Sequence, residues 1–311
     1  MNKDFRVIGY YAGWNGMQPD KLDFSVLTHL IYAFAIPTPD GHLRPLEYPE
    51  VAKELIKRAH DNGKRISLAV GGWSYLDIPL EATFVQATDS PEKIESLGDE
   101  IIQMCQDYGF DGIDMDWEHP RYQSGTYKQY EALMLYLSKK LHEAGKLLTS
   151  AVLSGVTWDG EVYEDSASHT DKVLEAVDWL NVMTYDGGEG IHHSTYEFAV
   201  NCMNYWLKDR GLKREKVMMG LPFYSYMPPM SYAKILAADP EAYAKDMIQT
   251  DGKEFHYNGM DTMARKVRHA CENCGGVMIW EVTEDTQQKE YSLLQTIGKV
   301  IIDFSQEKYN N

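Results

Sequence analysis

The chain has no unbroken run of the roughly 18 apolar residues that a membrane-spanning helix requires, so no membrane partner is expected. Its opening, MNKDFRVIGYY, carries neither an apolar core segment nor a small-residue cleavage site, and no signal peptide is read in it. The expectation is a secreted or periplasmic protein whose signal has been trimmed, with a cytoplasmic one as the alternative. Positive charge is scarce: 30 Lys and Arg stand against 47 Asp and Glu, for a formal net charge of −17. No basic stripe is present to neutralise phosphates, which excludes a nucleic-acid partner. Cysteine is scarce too. Cys105, Cys202, Cys271 and Cys274 are too few for a disulfide scaffold. The C-x-x-C of Cys271 and Cys274 lacks the second pair or neighbouring histidines that zinc needs, so no metal is expected. A thiol pair and a local disulfide both remain open there. No G-x-G-x-x-G or Walker pattern occurs, and no cofactor is expected. No low-complexity linker or internal repeat divides the chain, so residues 1–311 are read as one domain, expected to be a monomer.

What the chain does contain is a regular alternation. Eight short apolar, β-rich runs appear in order: Arg6–Ala12, His29–Ala35, Arg65–Gly71, Gly112–Glu118, Leu148–Ser154, Trp179–Tyr185, Val217–Tyr224 and Gly275–Val282. Helical patterns separate them at Pro49–Asn62, Pro91–Tyr108, Thr126–Ala144, Thr195–Arg210 and Gly259–Asn273, and Thr283–Phe304 closes the chain. Ser90-Pro91 is a helix start, with a capping hydroxyl and proline in the first turn. The first and fifth connections read as short and irregular, and the longest irregular stretch runs from Ser225 to Asn258. Eight strands alternating with helices predict an α/β fold, a (β/α)8 TIM barrel. An open doubly wound sheet is the alternative, usually marked by a glycine-rich phosphate loop that this chain does not have.

The most informative segment is Asp111-Gly-Ile-Asp114-Met-Asp116-Trp-Glu118. Side chains alternate faces along a strand, so Asp114, Asp116 and Glu118 share one face while Ile113, Met115 and Trp117 share the other. The apolar face suits packing on helices, and the acidic face then points into the barrel. Glu118 falls at the C-terminal end, where barrel active sites lie. Carboxylates in file about 7 Å apart raise one another's pKa and share protons, which would keep Glu118 protonated, as a general acid must be. A solvated acidic edge strand is the ordinary source of such a run; the Ile/Met/Trp register and the place as fourth of eight buried strands argue against it. A Mg²⁺ or Ca²⁺ site is a second alternative, but the neighbouring strand ends carry Trp73, Tyr185 and Trp280, walls better suited to a sugar ring than to a hydrated ion.

These residues resemble glycoside hydrolase family 18, the chitinases and their relatives. Asp111-x-x-Asp114-x-Asp116-x-Glu118 is similar to the family signature. Gly9-Tyr-Tyr-Ala-Gly-Trp14, Tyr32-Ala-Phe-Ala35, Gly71-Gly-Trp73, Met183-Thr-Tyr-Asp186, Gly220-Leu-Pro-Phe-Tyr224 and Met278-Ile-Trp280 resemble its other strands, in the right order. The family is an exception to the two-carboxylate scheme, because the substrate assists its own cleavage. The resemblance implies that Glu118 protonates the glycosidic oxygen while the substrate's acetamido oxygen attacks the anomeric carbon, with retention of configuration. It implies that Asp116 orients the acetamido N–H, that Asp114 holds a shared proton, and that Tyr185 donates to the acetamido oxygen. Trp280 would form the floor under the sugar, Met183 and Asp186 would line the same subsite, and Trp73, Tyr10, Phe34 and Trp14 are further candidate sugar contacts.

The implied partner is an N-acetylglucosamine-containing oligo- or polysaccharide, with β-1,4-linked chitin or chito-oligosaccharides first. An endo-β-N-acetylglucosaminidase acting on N-glycans or peptidoglycan and a non-catalytic chitin-binding lectin are the alternatives. The chain departs from the family pattern in three places. Ala69 stands where a serine is usual, so a hydroxyl beside the stacked aspartates is missing. His119 follows the catalytic glutamate in place of tyrosine, either bringing an imidazole titration into the pH profile or serving only as support. Ser225-Tyr226 replaces a Gly-Arg pair. Too few residues separate the seventh and eighth runs for the extra α+β module many relatives carry, so a shallower, more open cleft is expected.

Overall fold

The computed structural model describes residues 5–310; Met1–Asp4, the first residues of the opening read above for a signal, lie outside them. Eight parallel strands close into a barrel: β1 (Arg6–Ala12), β2 (His29–Ala35), β3 (Arg65–Gly72), β4 (Gly112–Trp117), β5 (Leu147–Val152), β6 (Trp179–Val182), β7 (Val217–Pro222) and β8 (Gly276–Trp280). Each pairs with its sequence neighbours, and β8 closes on β1 through Arg6 opposite Gly276. This is the (β/α)8 architecture, and the open-sheet alternative is ruled out by that closure.

The alternation of side chains sorts the core into two layers. Inward residues, among them Ile8, Tyr10, Ile31, Ala69, Trp179, Met218 and Met278, fill the barrel. Outward residues such as Val7, Leu30, Leu68, Ile113, Met115, Trp117, Val182 and Ile279 pack under the helices. Trp117 stacks on Phe84 with ring centroids 4.7 Å apart and meets Tyr130 edge-on at 5.9 Å. Truncating a buried aromatic of this kind costs about 3–5 kcal/mol, so the outer layer fixes the register of β4 firmly. That register is the one the acidic run requires.

The helices anticipated from the sequence are α1 (Pro49–Asp61), α3 (Pro91–Tyr108), α4 (Tyr127–Glu143), α6 (Tyr196–Asn204) and α8 (Met260–Asn273). Ser90 Oγ caps α3 by accepting from Lys93 N, and Gly109 ends it at φ +85°, a left-handed conformation that suits glycine. Other parts differ from the expectation. An additional α2 (Glu81–Ala87) precedes α3, and α5 (Asp171–Ala176) lies in the fifth connection, which is therefore not wholly irregular. The Ser225–Asn258 stretch is ordered into a hairpin (Tyr224–Ser225 with Met230–Ser231), α7 (Tyr232–Ala238) and a second hairpin (Met247–Thr250 with Lys253–His256). No α+β module is inserted among the described residues. The closing helix α9 spans Leu293–Asn310 rather than starting at Thr283, because Asp285 and Ser292 cap its first turn: Asp285 accepts from the backbone N–H groups of Leu293 and Leu294.

Among the described residues no helix is long and apolar enough to cross a membrane. All four cysteines are buried and none is bridged, so Cys271 and Cys274 stand as thiols.

Candidate active site

The candidate site forms at the C-terminal mouth of the barrel, around the end of β4. Asp114 is fully buried and opposite Ala69 of β3 on one side and Thr149 of β5 on the other. Its carboxyl accepts from the Tyr10 hydroxyl at 2.5 Å, from Thr149 Oγ1 at 2.5 Å and from Asn181 Nδ2 at 2.9 Å. Burial raises its pKa to about 6, and the three donors pull in the opposite direction. Ala69 offers no hydroxyl here, and the donors to Asp114 come from β1, β5 and β6.

Asp116 comes next along the file, also buried, with Oδ1 lacking a hydrogen-bond partner among the described residues. Glu118 follows at the rim, just past the last residue of β4, with a side chain 16% exposed. Burial raises both groups above the ordinary carboxylate range, and the charges of Glu118 and Asp114 push Asp116 up further. Two carboxyls this close hold one proton between them into less acidic conditions than either would alone.

The approach of strands that makes this possible depends on glycine. Gly71 has φ +117°, and a β-carbon there would lie 2.2 Å from the Asp116 carbonyl oxygen; at Gly72 it would lie 2.8 Å from the Phe34 ring. The Gly71-Gly72 pair therefore lets β3 close onto β4 and turn Trp73 out to the mouth, where it is 57% exposed.

Tyr185 and Asp186 lie just beyond β6. Gly220 on β7 admits the Tyr185 ring, whose Cε1 is only 2.8 Å from where a β-carbon would sit. The Tyr185 hydroxyl points at Met278 Sδ, 3.7 Å away. Asp186 adopts φ +55°, and its carboxylate accepts from the Tyr224 hydroxyl at 2.8 and 2.9 Å and lies 3.0 Å from His193 Nδ1. The aromatic floor is continuous. Phe34 stacks on Trp280 (centroids 5.7 Å, 26°) and on Trp14 (5.8 Å, 22°), and Tyr10 meets Trp280 edge-on at 5.5 Å.

Of the eleven candidate residues, ten line one cavity of about 440 Å³: Tyr10, Trp14, Phe34, Trp73, Asp116, Glu118, Met183, Tyr185, Asp186 and Trp280. Asp114 lies beneath it. A second cavity of about 380 Å³ shares Trp73, Glu118, Met183, Tyr185 and Asp186 and adds His119, Leu153, Ser154, Tyr163, Gly187 and Tyr226. Among the described residues no group of three or more His, Cys, Asp or Glu side chains is arranged to hold a metal ion.

His119 is packed under the rim with its Nε2 3.7 Å from Glu118 Oε2. Burial, reinforced by Arg121, lowers its pKa to about 4. The imidazole is therefore neutral through the range where histidine ordinarily titrates, which favours the supporting role over an imidazole limb in the pH profile. Ser225 turns away from the cleft and donates to the Pro228 carbonyl at 2.8 Å, while Tyr226 borders the second cavity.

Four residues of the site were not anticipated: Thr149 and Asn181, which donate to Asp114, and Tyr224 and His193, which hold Asp186. The first two had a readable signal. Each is the one polar residue of inward parity in a short buried run, LLTSAV or WLNV.

The comparisons with known proteins agree with this fold. The profile of the glycosyl hydrolases of family 18 matches residues 6–285. A solved family 18 chitinase from the chitin utilization locus of Flavobacterium johnsoniae is 28% identical with a TM-score of 0.81, covering 97% of this chain and 96% of that one. A chitinase from Bacteroides thetaiotaomicron is 25% identical with a TM-score of 0.83, covering 96% and 97%. A chitinase-like effector from Moniliophthora roreri is 28% identical over 241 residues, 70% of this chain and 57% of its own length. The chain spans about half the length of the curated relatives it matches.

Proposed function

The chain belongs to the glycosyl hydrolases of family 18, and from that membership and the geometry of its cleft we propose that it hydrolyses β-1,4-linked N-acetylglucosamine, in chitin or chito-oligosaccharides, by a retaining, substrate-assisted mechanism. The observation that carries this reading is the pairing of Glu118 with Asp116 at the mouth, both raised in pKa by burial, inside the cavity that Tyr185 and Trp280 also line.

Sugar rings present flat C–H faces, and Trp280 with Phe34 and Trp14 offers an aromatic surface to receive them. With an N-acetylglucosamine seated on Trp280, Glu118 donates its proton to the glycosidic oxygen. The acetamido carbonyl oxygen attacks the anomeric carbon as the bond to the leaving sugar breaks, giving an oxazolinium ion. Asp116 accepts from the acetamido N–H and balances the positive charge that develops there. Asp114, held by its three donors, shares a proton with Asp116. The Tyr185 hydroxyl donates to the acetamido oxygen and fixes it for attack. Glu118, now ionised, takes a proton from water, which opens the oxazolinium ion from the face that restores the original configuration. The barrel is proposed to act as one catalytic unit and as a monomer.

Two measurements test this. Nuclear magnetic resonance of the first products from chitohexaose should show the β-anomer; an initial α-anomer would overturn the mechanism. Digestion of chitohexaose beside a high-mannose glycoprotein decides the substrate: cleavage of the glycoprotein alone would move the assignment to an endo-β-N-acetylglucosaminidase. The likeness to a protein named a chitinase-like effector raises a second reading, sugar binding without turnover. The retention of Asp114, Asp116 and Glu118 in one file argues against it.

A further inference from the structure

Glu118 lies at the junction of two cavities. The first holds the aromatic floor of Trp280, Phe34 and Trp14; the second has no part of that floor and is bordered by His119, Ser154, Tyr163 and Tyr226. An acid that protonates a linkage between two sugars must stand between them. With one sugar on Trp280, the sugar that departs falls in the second cavity.

His119 and Tyr226 are two of the positions at which the sequence departs from the family pattern. They lie on separate segments, yet both border the second cavity and neither borders the first. The His119 ring makes no hydrogen bond among the described residues; it lies 3.7 Å from Glu118 Oε2, and its centroid is 6.4 Å from that of the Trp73 ring. A neutral imidazole carries one N–H donor and one acceptor lone pair. The His119 side chain keeps 13% of its surface exposed, and a sugar hydroxyl, itself donor and acceptor, can pair with either nitrogen. Tyr226 is held from behind: its ring lies on His193 (centroids 5.8 Å, 27°), and His193 reaches Asp186 Oδ1 at 3.0 Å and the Tyr224 carbonyl at 3.1 Å. A ring stacked on a neighbouring imidazole and bordering the cavity is a ready contact for a pyranose.

Resting on the catalytic reading above, we propose that His119 and Tyr226 are this chain's specificity-determining residues for the leaving sugar. His119 takes a hydroxyl of that sugar, and Tyr226 packs against its ring. The second cavity thereby selects a hydroxyl-bearing pyranose over a hydroxyl-free aromatic leaving group.

The test compares two substrates on each enzyme preparation: chitotetraose, whose sugars fill both cavities, and 4-nitrophenyl chitobioside, whose leaving group offers only a nitrophenyl ring. The quantity read is the ratio of their kcat/KM values, which cancels any difference in folded fraction. In His119→Phe and Tyr226→Leu the ratio should fall about tenfold or more, the scale of one lost hydrogen bond or ring contact in a desolvated site. In His119→Gln, which restores a donor and an acceptor, it should recover in part. A ratio within twofold of wild type in both His119→Phe and Tyr226→Leu overturns the proposal. If the wild-type protein turns over neither substrate, the catalytic reading fails on its own. Calorimetry with chitotetraose and chitobiose then decides the proposal: a tenfold loss of affinity confined to the tetramer supports it, and equal affinities in wild type and variants overturn it.

Discussion

Thr149 Oγ1 donates to Asp114 Oδ1 at 2.5 Å across the seam between β4 and β5. With the Tyr10 hydroxyl and Asn181 Nδ2 on the same carboxyl, the innermost acid of the file is anchored, while Asp116 above it has an oxygen with no hydrogen-bond partner among the described residues. The file is therefore graded: fixed at the bottom, and able to exchange a proton with Glu118 at the top. The hydrogen bond from Thr149 lowers the Asp114 pKa against the rise from burial. Thr149→Val keeps the shape and removes the donor, so Asp114 should titrate above its present value of about 6. The limb of the pH–kcat/KM profile that reports this group should move to higher pH, with a loss of stability of about 1–3 kcal/mol. Superimposable profiles for the variant and wild type would show that this contact does not tune the file.

A second prediction concerns stability. Glu281 and Glu284, beside Trp280, are raised by burial to about 8 and about 7, and Glu281 also by the charge of Glu284. Raised carboxyls stabilise the fold fully below their unfolded pKa, near 4.3, and that contribution is lost as pH rises through the folded values. The melting temperature should therefore decline between about pH 5 and pH 8. Glu281 accepts from Asn15 at 2.7 Å through Oε1. Glu281→Gln keeps the acceptor and removes the titration. It should melt higher than wild type at pH 8 and close to it at pH 5, as read by calorimetry at the two pH values. An identical pH dependence in both proteins would contradict this.

The aromatic floor gives a third. Trp280 is half-buried at the end of β8, with Tyr10, Phe34 and Trp14 around it. Trp280→Ala should weaken chito-oligosaccharide binding by about fivefold or more, since an aromatic contact of this size is worth about 1 kcal/mol, with little change in melting temperature. Unchanged KM and affinity would remove Trp280 from the site.

The barrel and its acidic file were legible in the sequence for one reason: a strand buried on both faces between a packed barrel and a ring of helices leaves a strict two-residue alternation. In β4 the alternation of Asp with Ile, Met and Trp carries both the architecture and the site. The short elements did not show themselves. Helices α2 and α5 have only seven and six residues, too few for an apolar period to emerge, and the hairpins after Tyr224 have strands of two to four residues whose pairing is set by tertiary contact. The support of Asp186 by Tyr224 and His193 was hidden for another reason. It joins a residue with a left-handed backbone to side chains from two other segments, and no local pattern records such a meeting. His119 was visible as a departure, but the loss of its charge follows from burial and from Arg121, which Glu81 and Asp165 hold in place by hydrogen bonds of 2.8–3.0 Å.

The role of Glu118 is tested most directly by the turnover of chitohexaose in wild type and Glu118→Gln, with the affinity of each for the same oligosaccharide measured alongside. Loss of the proton donor should lower kcat by about 10²–10⁴-fold and leave the affinity within a few-fold of wild type, because the floor and walls of the cleft are untouched. A Glu118→Gln protein that cleaves chitohexaose at a rate comparable to wild type would show that the proton comes from elsewhere.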